Sequence, residues 1–165
     1  MNKKYITICS IVILLSIVFS VVTGVLTKPE SNNKEEPFSG EVSLKSQEGN
    51  YSLNVTAVYD TKPDTDSLDA PEAQRVVVVV YEYTNADILH GLSITESHFK
   101  AYDYAGKELE LYPQKGLFEP SEVGQSGTFT ASVAFALNNG QNYVKIEFYN
   151  DISSSKADAV FEETW

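Results

Sequence analysis

The sequence predicts an all-β fold, an immunoglobulin-like β-sandwich of seven to eight antiparallel strands preceded by one N-terminal hydrophobic helix. Three observations predict it. From Gly40 onward apolar residues recur with period two, the signature of half-buried strands. Turn formers separate these stretches at short spacing, as in sandwiches. No long helical pattern follows the N-terminal segment, so alternating α/β architecture is excluded.

The first element is not part of the sandwich. "MNKKYITICSIVILLSIVFSVVTGVLTK" has two early lysines and then no charge until Lys28. As a helix rising ~1.5 Å per residue it could cross a hydrocarbon core of ~30 Å. Basic residues before the span and acids after it put the N-terminus inside and the remainder outside. Residues 1–27 therefore read as a transmembrane anchor, with a cleaved signal peptide as the alternative: Val22-Thr23-Gly24 is a tolerable cleavage site. In both cases the domain is extracytoplasmic, either on the cell membrane or secreted. Cys9 is the only cysteine, and Ile8 before it does not suit a lipid-modified site. The exported part holds no cysteine, so it cannot be a disulfide scaffold.

Residues 28–40, "KPESNNKEEPFSG", are polar and aperiodic. Such a stretch buries too little surface to offset its ordering entropy, so it reads as a disordered linker. The sandwich is expected over 41–165.

Charge narrows the partners. The chain carries −11, and residues 1–28 hold three lysines and no acid, so the remainder carries −14. Nucleic acid is excluded, because phosphate binding needs clustered cations.

The strands follow in order. "EVSLKSQ" alternates through Val42 and Leu44, and "YSLNVTAVY" puts Tyr51, Leu53, Val55 and Ala57 on one face. "RVVVVVYEYT" is too short to span a membrane, and β-branched valine favours a pleated surface. Without a polar phase it predicts a central strand covered on both faces. Glu82 between two tyrosines assigns Val77, Val79, Tyr81 and Tyr83 to the main core. "DILHGLSITES" allows a short helical turn. "GTFTASVAFAL" turns Phe129, Ala131, Val133 and Phe135 inward. "YVKIEFY" does the same with Val144, Ile146 and Phe148, and "ADAVFEETW" with Ala159, Phe161 and Trp165.

"SHFKAYD" and "KELELY" flank Tyr104-Ala105-Gly106, which suits a three-residue hairpin loop with glycine left-handed. Asp103 then faces Lys107, and counting outward pairs Ala101 with Leu109 and Phe99 with Leu111 inside. Outside, Tyr102 meets Glu108, Lys100 meets Glu110 and His98 meets Tyr112. This register groups Tyr102, Tyr104 and Tyr112 on an exposed face. Tyrosine is enriched in recognition surfaces, so the three form the candidate partner surface.

"VVVVVYEYTN", "HFKAYDYAGKELELY", "FEPSEVGQSGTFTASVAFAL" and "YVKIEFYND" together resemble the telokin-like, immunoglobulin-related domain of exported Gram-positive bacterial proteins. The resemblance spans about 41–165. It rests on a hydrophobic strand ending in Thr-Asn, an Asp-x-x-Gly-Lys hairpin, and a turn before an alternating strand. It implies a non-catalytic sandwich on membrane- or lipid-anchored proteins, of largely unknown function, with no catalytic residues to carry over. The lipid-anchor cysteine is missing here, and "EPSEVGQSG" replaces the usual Pro-Gly turn.

Catalytic chemistry finds no support. His90 and His98 lack metal-ligand spacing, and no serine sits in a nucleophile elbow. No enzyme activity and no cofactor are expected. The acidic stretch 60–72, with Asp60, Asp64, Asp66, Asp69 and Glu72, could offer oxygens to Ca²⁺, but it lacks the central glycine of an EF-hand loop. The reading is therefore a binding or accessory module tethered to, or released from, the membrane. A Ca²⁺-dependent module using loop 60–72, or an inhibitor of a secreted enzyme, is the alternative.

Overall fold

A computed structural model describes residues 40–64 and 69–165. All of them belong to one compact unit, Pro37–Trp165. The anchor and most of the linker lie outside the described residues, as does Asp66; Gly40 opens the first strand. Among the described residues no helix is long and apolar enough to cross a membrane.

Seven strands form two antiparallel sheets. They are β1 (Gly40–Lys45), β2 (Asn50–Thr61), β3 (Arg75–Asn85), β4 (Phe99–Tyr102), β5 (Thr128–Leu137), β6 (Tyr143–Phe148) and β7 (Ala159–Thr164). One sheet has the order β1-β2-β3-β5 and the other β4-β6-β7. The order β2-β3-β5 against β4-β6-β7 is that of strands A-B-E against C-F-G in immunoglobulin constant domains. Here β1 is added beyond β2. The segment after β4 takes the place of strand D: Leu111 bridges Phe135, and Tyr112 N–H donates to Ala134 O at 2.8 Å.

The main core lies between the sheets. Val77, Val79, Tyr81 and Tyr83 enter it from β3, as the alternation requires. Tyr81 packs on Phe99 with centroids 4.6 Å apart, and Phe99 meets Phe148 at 5.3 Å. These rings join the strands that carry the Cys–Trp–Cys core of antibody domains, so aromatic packing stands in for a disulfide. Burial leaves their polar atoms needing partners. Tyr81 Oη donates to Ile94 O at 2.9 Å, and Tyr83 Oη exchanges hydrogen bonds with the backbone of Ser121.

The valine run is covered on its other face too. Val76 and Val78 form a second cluster with Tyr112, Ala134 and Ala136 on the outer side of the four-stranded sheet. Ala70, Ala73 and Leu117 pack against it from the flanking loops.

Two polar residues hold the loops. The buried Asn85 carboxamide donates to Ile88 O and Val123 O and accepts Ile88 N–H, which explains the asparagine closing the valine strand. At the opposite end Arg75, the only arginine of the chain, pairs with Asp60 at 3.1 Å. It also donates to Asn139 O, Gln141 O and Asn142 Oδ1.

Two expectations are corrected. Ala57 does not continue the inward row. A β-bulge between Val55 and Ala57 adds one residue to β2, shifts the phase, and brings Val58 against the core instead. The stretch 107–112 is not a full hairpin partner of β4. Asp103 N–H donates to Lys107 O, Leu109 N–H donates to Ala101 O at 2.8 Å, and Tyr102 bridges Glu108, all in the expected register. Gly106 has φ +78° at the left-handed position. Beyond Leu109 the chain changes sheets. Phe99–Leu111, Lys100–Glu110 and His98–Tyr112 do not form, because residues 110–112 bond to β5. That move pairs an otherwise open edge and covers Val76 and Val78 with the Tyr112 ring. The short helical turn is a 3₁₀ turn over Glu96–His98.

Candidate binding face

The outer face of the three-stranded sheet follows from strand alternation. Phe99, Ala101, Val144, Ile146, Phe148, Ala159 and Phe161 point to the core. Their neighbours point out, and the ladder sets Tyr102 opposite Lys145, Lys145 opposite Glu162, and Lys100 opposite Glu147.

These side chains hold one another. Lys145 Nζ donates to Glu147 Oε1 at 2.7 Å and sits 4.4 Å from the Tyr102 ring centroid. Tyr149 Oη donates to Glu147 Oε2 at 2.6 Å, and Lys100 Nζ lies 5.4 Å from the Tyr149 ring. Tyr104, 71 % exposed at the hairpin tip, meets Tyr143 edge-on at 5.7 Å. Partial burial works against the Glu147 charge, but hydrogen bonds from Lys145 and Tyr149 outweigh it and hold the carboxyl below its ordinary range. The hydrogen bond to Glu147 raises the Lys145 pKa, and the same carboxylate, with burial, raises that of Tyr149. The result is a network of aromatic and charged groups with restricted rotamers.

Its charge differs from the rest of the domain. Residues 40–165 hold eight Lys and Arg against twenty Asp and Glu. On this face Lys100 and Lys145 balance Glu147 and Glu162, and Val160 is 53 % exposed beside them.

Of the three tyrosines singled out in the sequence, the structure brings two together. Tyr102 and Tyr104 belong to this face. Tyr112 is corrected: it is buried in the second cluster, with its hydroxyl donating to Asp64 O at 2.9 Å. Tyr143 takes part instead, and Tyr149, itself buried, supports the face through its bond to Glu147. Their signal was the polar phase of "YVKIEFY", whose apolar phase alone marks the strand.

The other candidates are placed as follows. His98 stacks on Phe148, and its Nδ1 lies 3.1 Å from Thr95 N and 3.3 Å from Thr95 O. Burial lowers its pKa. His90 is exposed on a turn. In the acidic stretch Asp60 is engaged by Arg75 and Asp64 by Lys115 at 3.7 Å. Among the described residues no three His, Cys, Asp or Glu converge into a cation site.

Comparison with known proteins bears on the fold. No family model matches the chain, and no curated protein matches it in sequence. Two solved structures share its fold. One is ycdA of Bacillus subtilis subsp. subtilis strain 168, described as a candidate lipoprotein, with TM-score 0.56 and 11 % identity over 76 % of this chain. The match covers 39 % of ycdA, so the chain spans about two fifths of that protein. The other is MPT63, a secreted protein of Mycobacterium tuberculosis, with TM-score 0.54 and 13 % identity over 77 % of this chain and 98 % of MPT63. At these identities the likeness is one of fold. Both neighbours are immunoglobulin-like sandwiches, the architecture that the telokin-like resemblance implies.

Proposed function

We propose that the chain is a non-catalytic, extracytoplasmic binding module of immunoglobulin-like fold, held at or released from the membrane by residues 1–27. Its partner docks on the outer face of β4-β6-β7. The observation that carries this reading is the Tyr102–Lys145–Glu147–Tyr149 network. Side chains already ordered lose less entropy on binding, so the face is preorganised. It is also the part of an acidic domain where local charge balances. The fold neighbours, one described as a candidate lipoprotein and one as secreted, support the export reading.

Capture of envelope proteins by the full chain in its native host tests the reading. Tyr102→Ala with Tyr143→Ala should abolish capture of the principal partner. Tyr59→Ala, an exposed tyrosine on the four-stranded sheet, should not. Equal capture by both variants would overturn the assignment. External protease should remove the domain from intact, wall-stripped cells; protection until lysis would overturn the topology.

A further inference from the structure

The sheet change at Leu109–Glu110 leaves a groove along β4. Phe99 and Leu111 would have paired had the hairpin continued. Because Leu111 bridges Phe135 instead, a cleft of about 470 Å³ opens between β4 and the 108–111 segment, lined by Phe99, Leu109, Leu111 and Phe135. Leu111 is 45 % exposed there. Two further clefts adjoin it. One of about 270 Å³ shares Glu96 and Leu111 and continues along Leu117 and Pro120. One of about 310 Å³ shares Glu108, Leu109 and Glu110 and runs toward Glu72.

The rim of this apolar groove is acidic. Glu72, Glu96, Glu108, Glu110 and Glu119 all line it and all are exposed. Among the described residues none of the five is held in an ion pair. Among the described residues lining the three clefts, Lys100 and Lys107 are the cations that oppose them. Carboxylates aligned beside low-dielectric walls focus a negative field along the groove. The outer face of β4-β6-β7, where Lys100 and Lys145 meet Glu147 and Glu162, has no such excess.

We propose that this groove binds a cationic amphipathic peptide segment, with aliphatic side chains seated over Leu109 and Leu111 and Lys or Arg groups along the glutamate rim. Charge complementarity sets the partner's sign. The apolar floor requires anchors that a simple polycation does not have. The site borders the tyrosine face, with which it shares Lys100, but its floor and glutamate rim are made by other residues.

The full chain in nanodiscs of uncharged phosphatidylcholine provides the test, with empty nanodiscs as the blank. A labelled alternating Lys-Leu peptide should bind saturably by fluorescence anisotropy, less tightly as salt rises. Replacing Glu96, Glu108 and Glu110 together by Gln should weaken binding roughly tenfold or more, as loss of complementary charges does at other interfaces. Leu111→Ser should weaken it at unchanged rim charge, and Tyr102→Ala should leave it unchanged. An alternating Lys-Ser peptide and spermine should bind poorly. No saturable binding by the wild type would overturn the proposal, as would equal binding by the glutamine variant. Equal affinity for Lys-Ser and Lys-Leu would also overturn it, by reducing the effect to the general field of an acidic domain.

Discussion

The two sheets of this sandwich treat their outer faces differently. The four-stranded sheet turns Val76 and Val78 outward and buries them under Tyr112 and Leu117. The three-stranded sheet turns Tyr102, Tyr143, Lys145 and Glu147 outward and leaves them only half covered. Where both phases of a strand are apolar, the chain must spend a loop covering the second phase, and that face is structural. Where the second phase is aromatic and charged, water can remain, and the face is free to meet a partner.

Substitutions in the two sheets should separate by size of effect. Val79→Asp places a charge in the fully buried core, at a cost of several kcal/mol against a total stability of ~5–15 kcal/mol. The domain should fail to fold, read as loss of a cooperative melting transition. A wild-type melt would place that strand at the surface. Tyr112→Ala comes next. Removing a buried aromatic ring costs ~3–5 kcal/mol, and the hydrogen bond to Asp64 O goes with it. Tyr102→Ala, on the half-exposed face, should cost below about 1 kcal/mol. Equal losses at 102 and 112 by urea titration would erase the contrast between the sheets.

Much of this contrast is legible in the sequence, and the illegible part has a physical reason. The run of five valines announces a strand covered on both faces, and Glu82 identifies the phase that enters the core. The hairpin tip is legible because Asp103, Gly106 and Lys107 act locally: Asp103 Oδ1 accepts the Ala105 and Lys107 N–H groups within the turn. The departure at Glu110 is not, because its cause lies in Ala134 and Ala136, far along the chain, whose free edge draws the segment away. Tyr112 follows that segment into the second cluster. The bulge in β2 leaves no local mark either, since "NVTAVY" alternates well in both phases. Tyr149 lies just beyond the end of β6 and joins the face through its bond to Glu147 and the Lys100 ammonium over its ring.

A smaller effect concerns acid. Burial holds the His98 pKa below its ordinary value, so the folded state favours the neutral ring and the unfolded state takes up the proton first. The stability this contributes is fully present above about pH 6.5, the unperturbed value, and is lost as pH falls toward the folded one. His98→Asn keeps an acceptor near Thr95 N–H but does not titrate. Its melting temperature should therefore fall less between pH 7 and pH 5 than that of the wild type. Parallel curves would show that His98 does not contribute to the acid response.

The central claim is that the outer face of β4-β6-β7 meets the partner and the outer face of β2-β3-β5 does not. Site-specific photo-crosslinking in living cells of the native host tests it most directly. A benzophenone amino acid at position 102, or at the exposed Val160 position on the same face, should give one discrete adduct band; at position 59 it should give none. An adduct at 59 with none at 102 or 160 would contradict the account.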